Sequence, residues 1–181
     1  MSAVRRCFAM GSGKMKSKLS GKFISMCAMF TALSVVGASI KVPAVVASVA
    51  LDAFPALLAA AVLGGGAGAL VGALGHLISA LLGGFPLGPM HFLIAGEMAV
   101  LVWLFGVVYK KQKVMAGGIF VLGNSFAAPI PFIFLISKAF YTAMVPSLVI
   151  GSILNTIIAM IAIPRLVSFV SHGFSKGTVK R

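Results

Sequence analysis

The chain has 181 residues, 60% of them hydrophobic and 9% charged, and its 15 lysines and arginines against two acidic residues leave a formal net charge of +13. So few polar residues cannot cover a water-soluble core, which excludes a soluble globular domain. Several apolar runs approach the ~20 residues that carry one helix across ~30 Å of hydrocarbon, and none alternates as a membrane β-strand would, so the chain reads as an all-α integral membrane protein.

In a soluble protein such a charge would suggest nucleic acid, but here the basic residues fall between apolar runs and at the ends, where they set orientation. Cys7 and Cys27 are the only cysteines, one in the basic leader and one in the first apolar run, which gives neither a disulfide framework nor a metal cluster. The leader, 1–22, is a basic cytoplasmic segment without regular structure, with Met10 and Met15 as further candidate starts. Its Gly-Ser-Gly-Lys at 11–14 is not a phosphate loop, because Phe8 stands at the first glycine position and Met15 at the Ser/Thr position. A cleaved signal peptide is the other reading of 1–40, but its apolar part is long and the topology works better with this segment retained.

Six helices are predicted. The first, about 23–40, follows Arg5, Arg6, Lys14, Lys16, Lys18 and Lys22, a block that holds an N-terminus in the cytoplasm. Residues 41–50, with Pro43, are an outer connection. Asp52 and Pro55 open a second helix, about 52–63, where Asp52 suits the positive end of the helix dipole and Pro55 the first turn. Gly64-Gly-Gly is an inner turn, and a third helix at about 67–82 carries Gly68, Gly72 and Gly75, a nearly bare face for close packing on a neighbour. The run at 83–89 is an outer loop rich in residues that stop helices. The fourth helix, about 90–109, ends at Lys110-Lys-Gln-Lys. The fifth, about 114–136, contains Asn124 and a Pro129/Pro131 pair that must break it and free backbone carbonyls. Residues 137–146 are a further outer loop with Lys138 and Tyr141. The sixth, about 147–163, holds Asn155 and gives way at Pro164-Arg165 to a basic tail, 165–181.

Six crossings with both ends inside put thirteen basic residues on the inner side and only Lys41 and Lys138 outside, as the positive-inside rule requires. The transmembrane unit is then 23–164, with Asp52, Phe85 and His91 towards the outside and His76 and Glu97 beneath them. Glu97 lies six residues after His91, roughly 9 Å deeper. Together these groups are expected to line one cavity that opens outward.

An ionisable group in lipid-like sequence is a functional-site hypothesis by default, because placing it there costs roughly 2.5–3.5 kcal/mol on insertion scales. Membrane enzymes need paired aspartates, a Ser/His or Ser/Lys dyad, or a zinc motif, and none is present. Asp52, Glu97 and His76 could relay protons, but two carboxylates without inverted repeats are thin support for a secondary transporter. A small pore fits on size alone. A solute cavity accounts for more: carboxylates and histidines, the aromatics Phe54, Phe85, Phe92, Trp103 and Tyr141, and helix breakers that expose backbone. Asp52 either caps its helix or meets solute. Asn124 and Asn155 either join helices or meet solute, and Trp103 either packs or sits in the interfacial belt. Glu97, which no cap explains, is either protonated or bonded to something polar. With no basic residue predicted inside the outer half, a neutral or cationic, hydroxyl-bearing aromatic solute fits better than a strong anion.

Five segments then point further: Ala28-Met-Phe-Thr-Ala32 after a basic leader, Ala50-Leu-Asp-Ala-Phe-Pro-Ala56, Gly72-Ala-Leu-Gly-His-Leu-Ile-Ser-Ala-Leu81, Gly83-Gly-Phe-Pro-Leu-Gly88 and His91-Phe-Leu-Ile-Ala-Gly-Glu-Met-Ala99. With the six-helix plan, over about 20–165, they resemble the substrate-binding S components of energy-coupling factor (ECF) vitamin transporters. The resemblance implies a subunit of the bacterial plasma membrane that binds a vitamin at its outer face and has no enzymatic activity or cofactor of its own. It also implies a transmembrane coupling subunit and two partner ATPases that spend the ATP, met through a first helix whose small positions are Ala28 and Ala32. The loops at 41–50, 83–89 and 137–146 are the implied gates. The second and third segments look most like S components assigned to α-ribazole, a benzimidazole riboside from which cobalamin is assembled, with intact cobalamin or a riboflavin-like vitamin as the alternative. The substrate-binding set is then Asp52, His76, Phe85, His91, Glu97, Asn124, Tyr141 and Asn155.

Overall fold

The computed structural model describes residues 21–43 and 48–176. Helix α1 spans Gly21–Ser39 and buries Cys27, Phe30, Thr31, Ser34 and Gly37, a stripe of helical spacing. Its other face shows Met29, Leu33 and Val36 to the surroundings. The connection predicted at 41–50 carries two short paired strands: β1, Lys41–Pro43, pairs antiparallel with β2, Ser48–Ala50, in the register Lys41 with Ala50 and Pro43 with Ser48. Val42 and Val49 pair at the middle.

Helix α2, Ala53–Val62, is only 10 residues long. At 1.5 Å per residue it covers about 15 Å, roughly half the hydrocarbon thickness, so it does not cross on its own as the sequence reading had it. It is apolar all round, and Ala56, Leu57, Ala59 and Ala60 are completely buried, the pattern of a helix enclosed by others. It packs on every other long helix of the first half and on the last.

Gly64, at φ 105, turns the chain into α3, Gly65–Leu82, in a conformation that side chains rarely adopt. The glycine face of α3 serves three neighbours rather than one. A Cβ at Gly68 would collide with the backbone of Ala60 on α2, one at Gly72 would press on Val102 of α4, and one at Gly75 would lie 2.6 Å from the Ser34 Cβ on α1. Helix α4, Met90–Tyr109, returns antiparallel and makes the most extensive pairing with α3.

The predicted fifth helix is broken where the prolines require it. Helix α5, Lys113–Leu122, runs into a π-helical turn, Gly123–Ala127, and a short α6, Pro131–Leu135. Pro129 would clash with the carbonyl four residues back, at Ser125, and the turn widens there instead, with Ala128 N–H donating to the Gly123 carbonyl five residues away at 2.8 Å. The last helix, α7, runs from Lys138 to Lys176 through both Pro146 and Pro164. The expected loop at 137–146 is therefore helical from Lys138, and the expected tail from Arg165 is helical over its described part. Both prolines are accommodated within one helix, which is tolerated in membranes because neighbouring groups take over the freed carbonyls.

Five segments are long and apolar enough to cross a membrane: Gly21–Ser39, Gly65–Leu82, Met90–Tyr109, Lys113–Leu135 and Lys138–Val167. With α2 in their midst they form an all-helical bundle.

Candidate functional site

Asp52 stands at the N-cap position of α2, yet its side chain makes no capping bond. Its carboxylate lies instead 3.9 Å from His76 Nδ1 on α3. The capping role passes to Asn155 on α7, whose Oδ1 accepts from Phe54 N–H at 2.8 Å. The same amide donates through Nδ2 to the Ala50 carbonyl at 3.0 Å and to the Gly151 carbonyl at 2.9 Å. Asn155 is 3% exposed. Of the two readings the sequence left for it, its geometry is that of an interhelical tie holding hairpin and short helix on either side of Asp52.

The sequence placed Asp52 at the rim with His76 beneath. In the structure they are level, because α2 is short and begins part-way along α3: six residues, about 9 Å of helix, separate His76 from Leu82. His76 Nε2 lies 3.1 Å from His91 Nδ1 on α4, and His91 Nε2 accepts from Leu87 N–H at 3.3 Å. Phe85 caps this row, its ring centroid 4.8 Å from that of His91 and 5.9 Å from that of Phe92. Phe85 has φ 53, a left-handed conformation costly for a bulky residue.

On the opposite side of Asp52, Asn124 in the π-helical turn donates to Ser152 Oγ at 2.8 Å. Tyr141 donates its hydroxyl to the Phe126 carbonyl at 3.4 Å, next to the proline break. Ser152, Asn155 and Thr156 form one polar stripe on α7. Thr156 Oγ1 and Ser125 Oγ are buried without a hydrogen-bond partner. The result is a polar seam through an apolar bundle, running from the Phe85 loop through His91, His76 and Asp52, past Asn155, to Ser152 and Asn124. Ser125, Ser152 and Thr156 were absent from the sequence reading, although Ser152 and Thr156 lie at i−3 and i+1 from Asn155, a spacing that one helix face displays.

Glu97 departs from the expected single cavity. Six residues turn a helix through about 600°, so Glu97 points roughly 120° away from His91, whereas Ala95 and Met98, close to His91 in angle, are buried with it. Glu97 instead lines a groove of ≈ 540 Å³ between α4 and the π-helical turn, with Phe92, Gly96, Val100 and Ala127. Its Oε2 is buried without a hydrogen-bond partner, and His76 is near enough to interact with it electrostatically. Trp103 joins neither feature; its backbone and ring pack against Gly65 at the far end of α3. Among the described residues no group of three or more His, Cys, Asp or Glu is placed to hold a metal ion. Ala28 and Ala32 lie on the exposed face of α1.

A family model described as "ECF transporter, substrate-specific component" matches residues 22–174. A comparison with curated proteins finds no match. Among solved structures, one reported as "Structure and mechanism of the S component of a bacterial ECF transporter" is 23% identical, with a TM-score of 0.68, over 82% of this chain and 97% of that one. At that identity the likeness speaks for the fold.

Proposed function

The chain belongs to the substrate-specific components of ECF transporters, membrane subunits that bind a solute and associate with transmembrane and ATPase partners, and from that premise we propose that its solute is α-ribazole. The observation that carries this reading is the polar seam. It offers the Asp52 carboxylate, the Asn124 carbonyl oxygen and the unpartnered Ser125 and Thr156 hydroxyls, a set suited to ribose hydroxyls, with His76 and His91 belonging to the proposed set by holding Asp52 and the 83–89 loop in place. Phe85 and Phe92 beside it suit a flat benzimidazole ring. No lysine or arginine occurs in α2, α3 or α4 or in the loop 83–89, which favours a neutral solute over a strongly anionic vitamin. Glu97, on the other flank of α4, belongs to the proposed solute set as an acceptor reached through its groove.

The same reading has both chain ends on the cytoplasmic side of a bacterial plasma membrane, with α2 counted as the second of six helices although it is half-length. The 83–89 loop and the β-hairpin then face outward as gates. The coupling contact is the α1 face that carries Ala28 and Ala32, because the opposite face is already used internally by Cys27, Phe30 and Ser34. Small side chains there let a partner helix approach closely. Hydrolysis of ATP is the work of the partner subunits.

The test is equilibrium binding of α-ribazole, cobalamin and riboflavin to the purified full-length protein in lipid nanodiscs, followed by uptake in cells that also make the coupling subunits. Saturable α-ribazole binding and ATP-dependent uptake are expected. Binding of cobalamin or riboflavin without α-ribazole overturns the solute assignment.

A further inference from the structure

Valence alone fixes where the protons sit in the row Leu87–His91–His76–Asp52. His91 Nε2 accepts the Leu87 N–H, so it carries no proton. A neutral imidazole then has its proton on Nδ1, which faces His76 Nε2 at 3.1 Å, and that nitrogen must be bare to accept it. His76 in turn carries its proton on Nδ1, the nitrogen turned towards the Asp52 carboxylate. Every position in the row is thereby assigned, and the two rings together hold two protons.

A third proton has nowhere to go without breaking the row. Only one hydrogen fits between the two facing nitrogens, and His91 Nε2 is occupied as an acceptor. Protonating His91 sets two N–H donors against each other at Leu87. Protonating His76 at Nε2 moves the shared hydrogen, leaves His91 Nδ1 as the acceptor, and forces the His91 proton onto Nε2, with the same result. Either that happens or the two rings separate. The strained Phe85 turn favours release, since it gains from relaxing once its tie is lost.

We propose that His91, steadied by His76, is a proton-sensitive latch that holds the 83–89 loop through the Leu87 amide and releases it when the histidine pair takes up a proton. Both histidines are thus positioning residues. The groups that bear on the pair are Asp52, at the start of α2, and Glu97, on α4; α3 has no further ionisable side chain and the 83–89 loop has none. The latch requires only the geometry of the row, whichever solute the protein carries.

The test uses the full-length protein in nanodiscs without solute. Nitrogen NMR of ring-labelled histidines, with His172→Gln to simplify the spectrum, is expected to show both remaining neutral histidines protonated at Nδ1. Finding Nε2-protonated His91 overturns the assignment. Hydrogen exchange at Leu87, corrected for its intrinsic rate, is expected to rise roughly three- to tenfold between about pH 8 and about pH 5, the loss of one neutral hydrogen bond. His91→Gln keeps an acceptor for Leu87 but cannot titrate, and its exchange should be flat with pH. His76→Gln, which still accepts from His91, should retain the pH dependence. Equal dependence in His91→Gln, or none in the wild type, overturns the latch. Since no measurement involves a solute, these outcomes are independent of the α-ribazole assignment.

Discussion

Replacing Asn155 with alanine separates a tie between elements from a solute contact. Its amide spans three partners: the Phe54 N–H, the Ala50 carbonyl and, within its own helix, the Gly151 carbonyl. The Gly151 carbonyl lies in mid-helix and keeps its ladder bond, so its loss counts little. Phe54 N–H is one of the unpaired donors at the start of α2, and losing a cap there costs about 0.5–2 kcal/mol. The half-buried Ala50 carbonyl loses its side-chain donor, for about another 1–2 kcal/mol. The expected loss is therefore about 1.5–4 kcal/mol, read as an earlier midpoint in denaturant titration of the protein in mixed micelles. Solute affinity falls with it, because the tie fixes the backbone on both sides of Asp52. Asn155→Asp retains the acceptor for Phe54 and should recover part of the loss, up to the capping contribution, while failing to replace the donor to Ala50. Should Asn155→Ala unfold at the wild-type midpoint and yet lose solute binding, the tie is refuted and Asn155 is a solute contact.

Glu97→Gln retains shape and hydrogen-bonding capacity but removes a carboxylate whose Oε2 has no internal partner; solute affinity should fall about tenfold, the scale of one charge-assisted hydrogen bond, with the unfolding midpoint unchanged. Unchanged affinity by isothermal titration would leave Glu97 as a packing residue. Ala28→Trp and Ala32→Trp, on the exposed face of α1, should abolish ATP-dependent uptake in cells with the coupling subunits while purified protein binds solute as before; loss of binding in both variants would place that face in the fold instead. Gly75→Val drives a branched side chain into Ser34, 2.6 Å from where its Cβ would sit, and should lower the unfolding midpoint by the equivalent of about 1–3 kcal/mol, a typical overpacking cost.

The composition by itself determined the solvent, because so apolar a chain has nothing with which to face water. Local sequence also located most breaks: Gly64 marks a turn that needs positive φ, the 83–89 run ends α3, and Pro129 with Pro131 breaks the fifth helix, since these are steric properties of individual residues. Prolines were an incomplete guide elsewhere. Pro146 and Pro164 lie inside α7 because a helix in a membrane can fill the gaps from its neighbours, and a residue's own chemistry does not say which neighbours it has.

Only the tertiary structure decided which groups the polar residues meet. Asp52 sits where a cap belongs, and sequence offers no way to see that an asparagine 103 positions later takes the cap and leaves the carboxylate to His76. His91 and Glu97 are neighbours in sequence and separate in space by helical rotation, which could have been read from the 100° step per residue. The pairing of His76 with His91 could not, because it depends on how far α3 and α4 slide past each other. That register is set by glycine faces meeting α1, α2 and α4 at close range: small residues announce close packing from the sequence, but only the assembled bundle fixes which surface each one meets.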